Sequence, residues 1–170
     1  MLNIKILSVG GTIDKVYFDA KSTYEVGPPN ISTVLADLSL NIEYSVSSLL
    51  QKDSLEMGDA DRQFIFESVK SAEEDHIIIT HGTDTMVETA KVLSKITDKT
   101  IIITGALQPA LFKTSDAMFN IGCAIAAVQT LPANVYIAMN GQIFTHDNVV
   151  KDSANNRFVT ISENNSTIQA

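Results

Sequence analysis

The chain of 170 residues holds a single cysteine, Cys123, set among Ala and Ile. No intrachain disulfide can form, which fits a reducing compartment, and a cysteine in such company reads as a small core hydrophobe. Basic residues are scarce: 12 Lys plus Arg against 20 Asp plus Glu leave a formal charge of -8. A chain this acidic repels a phosphate backbone, which argues against nucleic acid as a partner. Small ligands escape that argument, because local fields govern them. No apolar run approaches the ~20 residues of a membrane span. The opening Met-Leu-Asn-Ile-Lys-Ile-Leu is too short and interrupted for a signal peptide. The expectation is a cytoplasmic protein without a membrane partner. His76, His81 and His146 lack ligand spacing, so no metal is expected. Gly10-Gly11 lacks the third glycine of a dinucleotide fingerprint, and no Gly-Lys-Ser/Thr follows it. No cofactor is expected either.

What remains is ordinary globular material, 45% hydrophobic and 19% charged. Without repeats, linkers or low-complexity blocks, residues 1–170 read as one domain. Its organising stretch is His76-Ile-Ile-Ile-Thr-His-Gly-Thr-Asp-Thr-Met86. The isoleucine run predicts a strand buried on both faces, as a parallel sheet requires. A polar turn follows, then apolar positions at helical spacing from Met86 to Ile96. Ile4 to Val9, Ile42 to Ser48, Thr100 to Thr104 and Val135 to Met139 read as further strands. Helices are expected from Asn30, over Ala60 to Ala72 and over Ser115 to Gln129. The repeated βαβα pattern predicts an α/β fold with a doubly wound, mostly parallel sheet, a Rossmann-like or flavodoxin-like three-layer sandwich. Residues Asp14 to Pro29 show no period and read as a loop acting as a lid. Gln142 to Val150 and Arg157 to Ile161 read as a short C-terminal hairpin bracketing Lys151 to Asn156. The polar tail from Ser162 to Ala170 reads as frayed.

In an open α/β sheet, ligands sit at the carboxyl ends of strands. Two polar turns lie there, Gly10-Gly11-Thr12-Ile13 and His81-Gly82-Thr83-Asp84-Thr85. Thr12 can project a hydroxyl that needs an activating base to become a nucleophile, or it can simply cap its turn. Thr83 and Asp84 can be helix caps, yet capping leaves the density of polar groups in one turn unexplained. Lys151 can be solvated, or it can serve as a base once burial or neighbouring charge strips its proton. Ser54 and Tyr24 can be plain loop residues.

Together these pieces resemble the L-asparaginase family of threonine-nucleophile amidohydrolases. Gly10-Gly11-Thr12-Ile13 is similar to its first signature, and His81-Gly82-Thr83-Asp84-Thr85-Met86 to its longer and more specific second. Tyr24-Glu25-Val26-Gly27, Asp53-Ser54 before Met57, Thr104-Gly105-Ala106 and Lys151 match in order. The resemblance implies Thr12 as nucleophile, Tyr24 as a lid residue orienting it, and Thr83, Asp84 and Lys151 as an activating group. It implies that Asp53, Ser54 and Asp84 hold the substrate's α-amino and α-carboxylate groups. Backbone near Gly11, Gly82, Thr83 and Ala106 would face the substrate and its oxyanion. The implied reaction takes L-asparagine, and L-glutamine as a possible second substrate, to L-aspartate and ammonia.

The likeness is to the family's N-terminal domain alone, with no C-terminal domain. Gln108 and Ala117 stand where the family commonly has arginine and glycine. A short domain leaves the pocket open on one side, so a homodimer or larger oligomer is expected. Two other readings stand beside this one. The first is an inactive amino-acid-binding sensor or subunit on the same fold. The second is a nucleotide-binding flavodoxin-like module.

Overall fold

The computed structural model describes residues 2–168. At its centre is a sheet of six strands: β1 (Asn3–Gly10), β4 (Glu43–Lys52), β5 (His76–Thr80), β6 (Thr100–Thr104), β7 (Asn134–Met139) and β8 (Gln142–Thr145). Their order across the sheet is β4-β1-β5-β6-β7-β8. The first five run parallel, and β8 folds back antiparallel on β7. This is the α/β doubly wound architecture that the sequence predicts.

The isoleucine runs explain the layering. Along β5, Ile77 and Ile79 face one core with Leu7, Ile101 and Ile103, while Ile78 faces the other with Ile6 and Ile102. Side chains alternate across a strand, so a continuous apolar run fills both faces at once. All three β5 isoleucines are fully buried, each contributing about 1.5–3 kcal/mol. Helices α2 (Asp59–Ser71) and α3 (Met86–Leu93) close the first core through Ile65, Val69, Ala90 and Leu93. Helices α1 (Asn30–Ala36) and α4 (Ala117–Thr130) close the second through Ile31, Leu35, Ile121 and Ala124. Cys123 lies half-buried at the edge of this second core, less enclosed than expected.

Three segments differ from the sequence reading. Residues 14–29 hold a small antiparallel hairpin, β2 (Lys15–Phe18) with β3 (Thr23–Val26), pairing Tyr17 with Tyr24. Four-residue strands are too short to show a period, and the turn is made by Ser22 in the left-handed region at φ 52°. The expected C-terminal pair of strands is also redrawn. Gln142–Thr145 belongs to the main sheet, and the separate hairpin is β9 (Val150–Asp152) with β10 (Arg157–Val159). Lys151 therefore sits in a strand, paired with Phe158, rather than in a loop. Finally, residues 161–168 form a helix, α5 (Ile161–Ile168), where fraying was expected. A reciprocal cap nucleates it: Thr160 Oγ1 accepts from the Glu163 amide and Glu163 Oε2 accepts from the Thr160 amide. Residues 169–170 of the expected frayed tail lie outside the described residues. Among the described residues no helix is long and apolar enough to cross a membrane.

The strand order fixes where a ligand can sit. From β1 the chain moves outward to β4, then returns past β1 to β5 on its other side. The carboxyl ends of β1 and β5 flank that reversal, the crevice where open α/β sheets bind ligands.

Candidate active site

Both polar turns leave the sheet at this crevice, and they touch. Gly11 has φ 90°, and a Cβ there would lie 2.3 Å from Gly82 Cα and 2.4 Å from its nitrogen. Only two bare backbones can pack so closely. The Gly11 amide donates to Lys52 O at 2.9 Å, tying the first turn to the end of β4. Thr12 then opens a short 3-10 turn, Thr12–Asp14, with its side chain half-buried and its hydroxyl unpartnered among the described residues.

Asp14 anchors that turn from below. It is fully buried, accepts from Ser8 Oγ at 2.9 Å and from the Asn30 amide at 2.8 Å. Burial pushes its carboxyl up to about 6, against the pull of those two donors.

Behind the second turn, His81 is also fully buried. Its Nδ1 lies 2.8 Å from Gly82 O and its Nε2 2.8 Å from Thr89 Oγ1. A carbonyl can only accept, so Nδ1 carries the proton and Nε2 accepts from the threonine hydroxyl. Burial pulls the imidazole down to about 4, the Gly82 contact opposing it and the Arg62 charge adding to it. His81 is a strut between the turn and α3.

The two residues after Gly82 do not cap a helix. Helix α3 starts later, at Met86 behind Thr85, whose hydroxyl instead donates to Ser54 O at 2.8 Å. Thr83 and Asp84 are thus free to meet a distant partner. Lys151 Nζ donates to Thr83 Oγ1 at 2.9 Å and to Asp84 Oδ1 at 2.6 Å. The lysine side chain is 14% exposed and the aspartate 44%. A hydroxyl, a carboxylate and an amine, 67 and 68 residues apart in sequence, form one hydrogen-bonded group.

Ser54 joins the same crevice. It is 1% exposed, its Oγ has no partner, and a Cβ on Gly82 would lie 2.6 Å from both its Cβ and Oγ. Asp53 caps the turn Ser54–Glu56, its Oδ1 accepting from the Leu55 amide at 3.1 Å. Its other oxygen pairs with Lys15 Nζ of β2 at 3.0 Å. Burial raises this carboxyl, and the Lys15 and Leu55 donors outweigh it, holding it below the usual range. Tyr24, on β3, is half-exposed; its ring meets Tyr17 edge-on at 5.4 Å and Phe112 at 5.7 Å. Between this hairpin and the Ser54 turn lies a polar cavity of about 400 Å³ lined by Lys15, Tyr24, Gln51, Asp53 and Glu56.

Ala106 follows β6 and is buried beside the second turn, where the His81 amide donates to Thr104 O at 2.9 Å. Asp116 and Asn120 hold that loop, through the Leu107 amide at 3.0 Å and Gly105 O at 2.9 Å.

Gly11, Thr12, Ser54, Gly82, Thr83, Asp84 and Lys151 are thus gathered around one crevice, with Tyr24 and Asp53 on its hairpin side. The sequence reading missed Asp14, Lys15, Arg62, Asp116 and Asn120. Asp14, two residues beyond Thr12 in an apolar setting, was the one with a local signal. Among the described residues no group of three or more His, Cys, Asp or Glu is arranged to hold a metal ion.

Known proteins are similar to this chain in sequence and in fold. The glutaminase-asparaginase of Pseudomonas fluorescens biotype A is 31% identical over 169 residues, covering 89% of this chain and 46% of that protein. A glutamyl-tRNA(Gln) amidotransferase subunit of Methanococcus vannielii is 32% identical over 149 residues, 83% of this chain and 35% of that one. The thermostable L-asparaginase from Thermococcus kodakarensis superposes with a TM-score of 0.83 at 25% identity, over 94% of this chain and 51% of its own. The chain therefore spans a third to a half of the length of these relatives. The model of the family described as Asparaginase, N-terminal, matches residues 3–169, and the chain belongs to that family.

Proposed function

We propose that this chain hydrolyses the side-chain amide of L-asparagine, and of L-glutamine as a secondary substrate, through a threonyl ester on Thr12. The observation that supports this most is the Lys151–Thr83–Asp84 group standing in the turn pressed against Gly11. An amide is a poor electrophile, so a hydroxyl nucleophile needs both a route for its proton and donors for the oxyanion.

In the proposed cycle, Thr12 Oγ1 attacks the amide carbon and its proton passes to the leaving nitrogen. Backbone amides of the Gly11 and Thr83 turns and of Ala106 donate to the oxyanion. The C–N bond breaks and ammonia departs. Water then cleaves the ester, its proton passing through the Thr83 hydroxyl to Lys151 Nζ acting as a neutral amine, to release L-aspartate and restore the Thr12 hydroxyl. Tyr24 orients Thr12 from the hairpin, Ser54 receives the α-carboxylate, and Asp84 and Asp53 attract the α-ammonium. The chain acts in this proposal as a homodimer or larger assembly.

Ammonia release from both amides by wild type and by Thr12→Ala tests the reading. Loss of at least about 10³-fold is expected in the variant, since a nucleophile has no substitute. Full activity in Thr12→Ala ends the proposal.

The similarity to an amidotransferase component supports a second reading. Here the chain binds an amino acid as a sensor or subunit without turnover. Calorimetric binding of L-aspartate with no ammonia release from wild type favours it.

A further inference from the structure

Arg62 is largely buried and forms no salt bridge among the described residues, the nearest carboxylate to feel its charge being Asp61. It lies in the first turn of α2, 9% exposed, and Nη1 donates to Met57 O at 3.2 Å. Its Nε is buried with no partner. Among the described residues no carboxylate comes within ion-pair distance of it. The neighbouring Asp61 is already held by Lys52 Nζ at 2.9 and 3.0 Å and by the Gly58 amide at 3.0 Å. Burying an unpaired guanidinium is costly. Its position compounds the cost, because the first turn of a helix repels cations.

The charge has a direction. Met57, whose carbonyl it holds, ends the turn that carries Ser54, and the Met57 amide bonds back to Ser54 O at 3.3 Å. The same charge acts on His81, the residue before Gly82. Arg62 therefore lies behind the junction of Ser54 and Gly82, where Ser54 Oγ is itself buried and unpartnered. Of the acidic groups in front of that junction, Asp53 pairs with Lys15 and Glu25 with Lys21 at 2.9 Å, and Asp84 contacts Lys151. Glu56, exposed, is left to repel an incoming anion.

We infer that Arg62 is a specificity-determining residue for the crevice, its charge, held in no salt bridge, selecting ligands that bring an α-carboxylate to Ser54. This rests on the reading of the crevice as an amino-acid site, and it deepens that reading. The guanidinium acts through the Met57–Ser54 turn and touches no reacting atom, so it is a positioning residue. An anion placed at Ser54 adds to the counter-charge that Asp61 supplies from beyond salt-bridge distance.

The test pairs ligands that differ only in the α-carboxylate. Calorimetry measures L-aspartate and β-alanine binding, and ammonia release measures L-asparagine and 3-aminopropanamide turnover, for wild type, Arg62→Met and Arg62→Lys. Arg62→Met weakens L-aspartate binding and lowers kcat/KM for L-asparagine by about tenfold or more, some 1.4 kcal/mol. The values for β-alanine and 3-aminopropanamide stay within about twofold. Arg62→Lys keeps the charge and retains L-aspartate affinity within about threefold. Should the methionine variant not fold, Arg62→Gln takes its place, with the same selective loss expected for L-aspartate and L-asparagine.

Equal losses for both ligand types mean a purely structural role and overturn the inference, as does no loss or a failure of lysine to rescue. Wild type that binds L-aspartate in an Arg62-dependent way yet releases no ammonia upholds Arg62 and removes the hydrolase reading. Wild type with neither affinity nor turnover removes both.

Discussion

Lys15 Nζ stands 3.0 Å from Asp53 Oδ2, joining the hairpin that carries Tyr24 to the turn that carries Ser54. A cation from this chain already occupies one oxygen of a carboxylate proposed to attract the substrate's ammonium. Both side chains are a little under one-third exposed, so the pair is worth about 0.5–1 kcal/mol and weakens with salt. Lys15→Met should therefore destabilise the protein by that amount at low ionic strength and by less near ~0.5 M salt, where the screening length falls to about 4 Å. Urea unfolding at both salt levels measures it. A salt-independent difference removes the ion pair as the cause.

The Gly11–Gly82 contact leaves no room for a side chain on either residue. Gly11→Ala places a Cβ 2.3 Å from backbone and forces φ 90° on an alanine. Gly82→Ala meets the Ser54 side chain, at 2.6 Å. The first variant should lose about 3 kcal/mol or more and the second about 1–3 kcal/mol. Thermal unfolding ranks them, and equal stability of Gly11→Ala and wild type contradicts the contact.

His81 gives the fold an acid limit. Its pKa of about 4 lies below the 6.5 of an exposed imidazole, so the unfolded chain binds the proton first. The resulting stability is complete above about pH 6.5 and is lost progressively as pH falls towards about 4, up to about 3 kcal/mol. Imidazole nitrogen NMR at pH 5 should still report the neutral ring with the proton on Nδ1. A protonated ring at that pH refutes the assignment.

Asp14 pulls the opposite way. Its pKa of about 6 lies above the ordinary 3.8, so the folded chain binds the proton more tightly. That contribution is complete below about pH 4 and disappears as pH rises through about 6. Asp14→Asn abolishes the titration. The variant should gain on wild type by up to about 3 kcal/mol between pH 4 and 6, with no further change above. Denaturant unfolding at half-unit steps shows whether the slope has that sign.

Lys151 separates two roles for its amine. Lys151→Arg preserves a positive charge beside Thr83 and Asp84 but cannot give up a proton. If the amine must act as a base, arginine and methionine at this position should both lower kcat by about 10²–10⁴-fold. Activity retained in Lys151→Arg assigns the residue to electrostatics instead.

Much of this was legible in the chain. The triple isoleucines of β5 and β6 announce strands buried on two faces, because only a sheet covered by helices on both sides can use both parities of a run. The Gly-Gly-Thr and Gly-Thr-Asp turns announce a site, because they follow such strands directly. The hairpin around Tyr24 stayed hidden because its strands are four residues long, and α5 because the polar run behind its Thr160-x-x-Glu163 cap shows no apolar face.

Sequence alone settled the layer architecture, the turns at the crevice and the residue types available there, since these depend on periodicity and on neighbours within a few positions. Tertiary structure decided which charges meet. Lys151 reaches Thr83 across 68 residues, Lys15 claims Asp53, and the buried Arg62 Nε is left without a partner. Charge pairing acts through space with no period along the chain, so only the folded sheet, by bringing the ends of β1 and β5 together, could assign those partners.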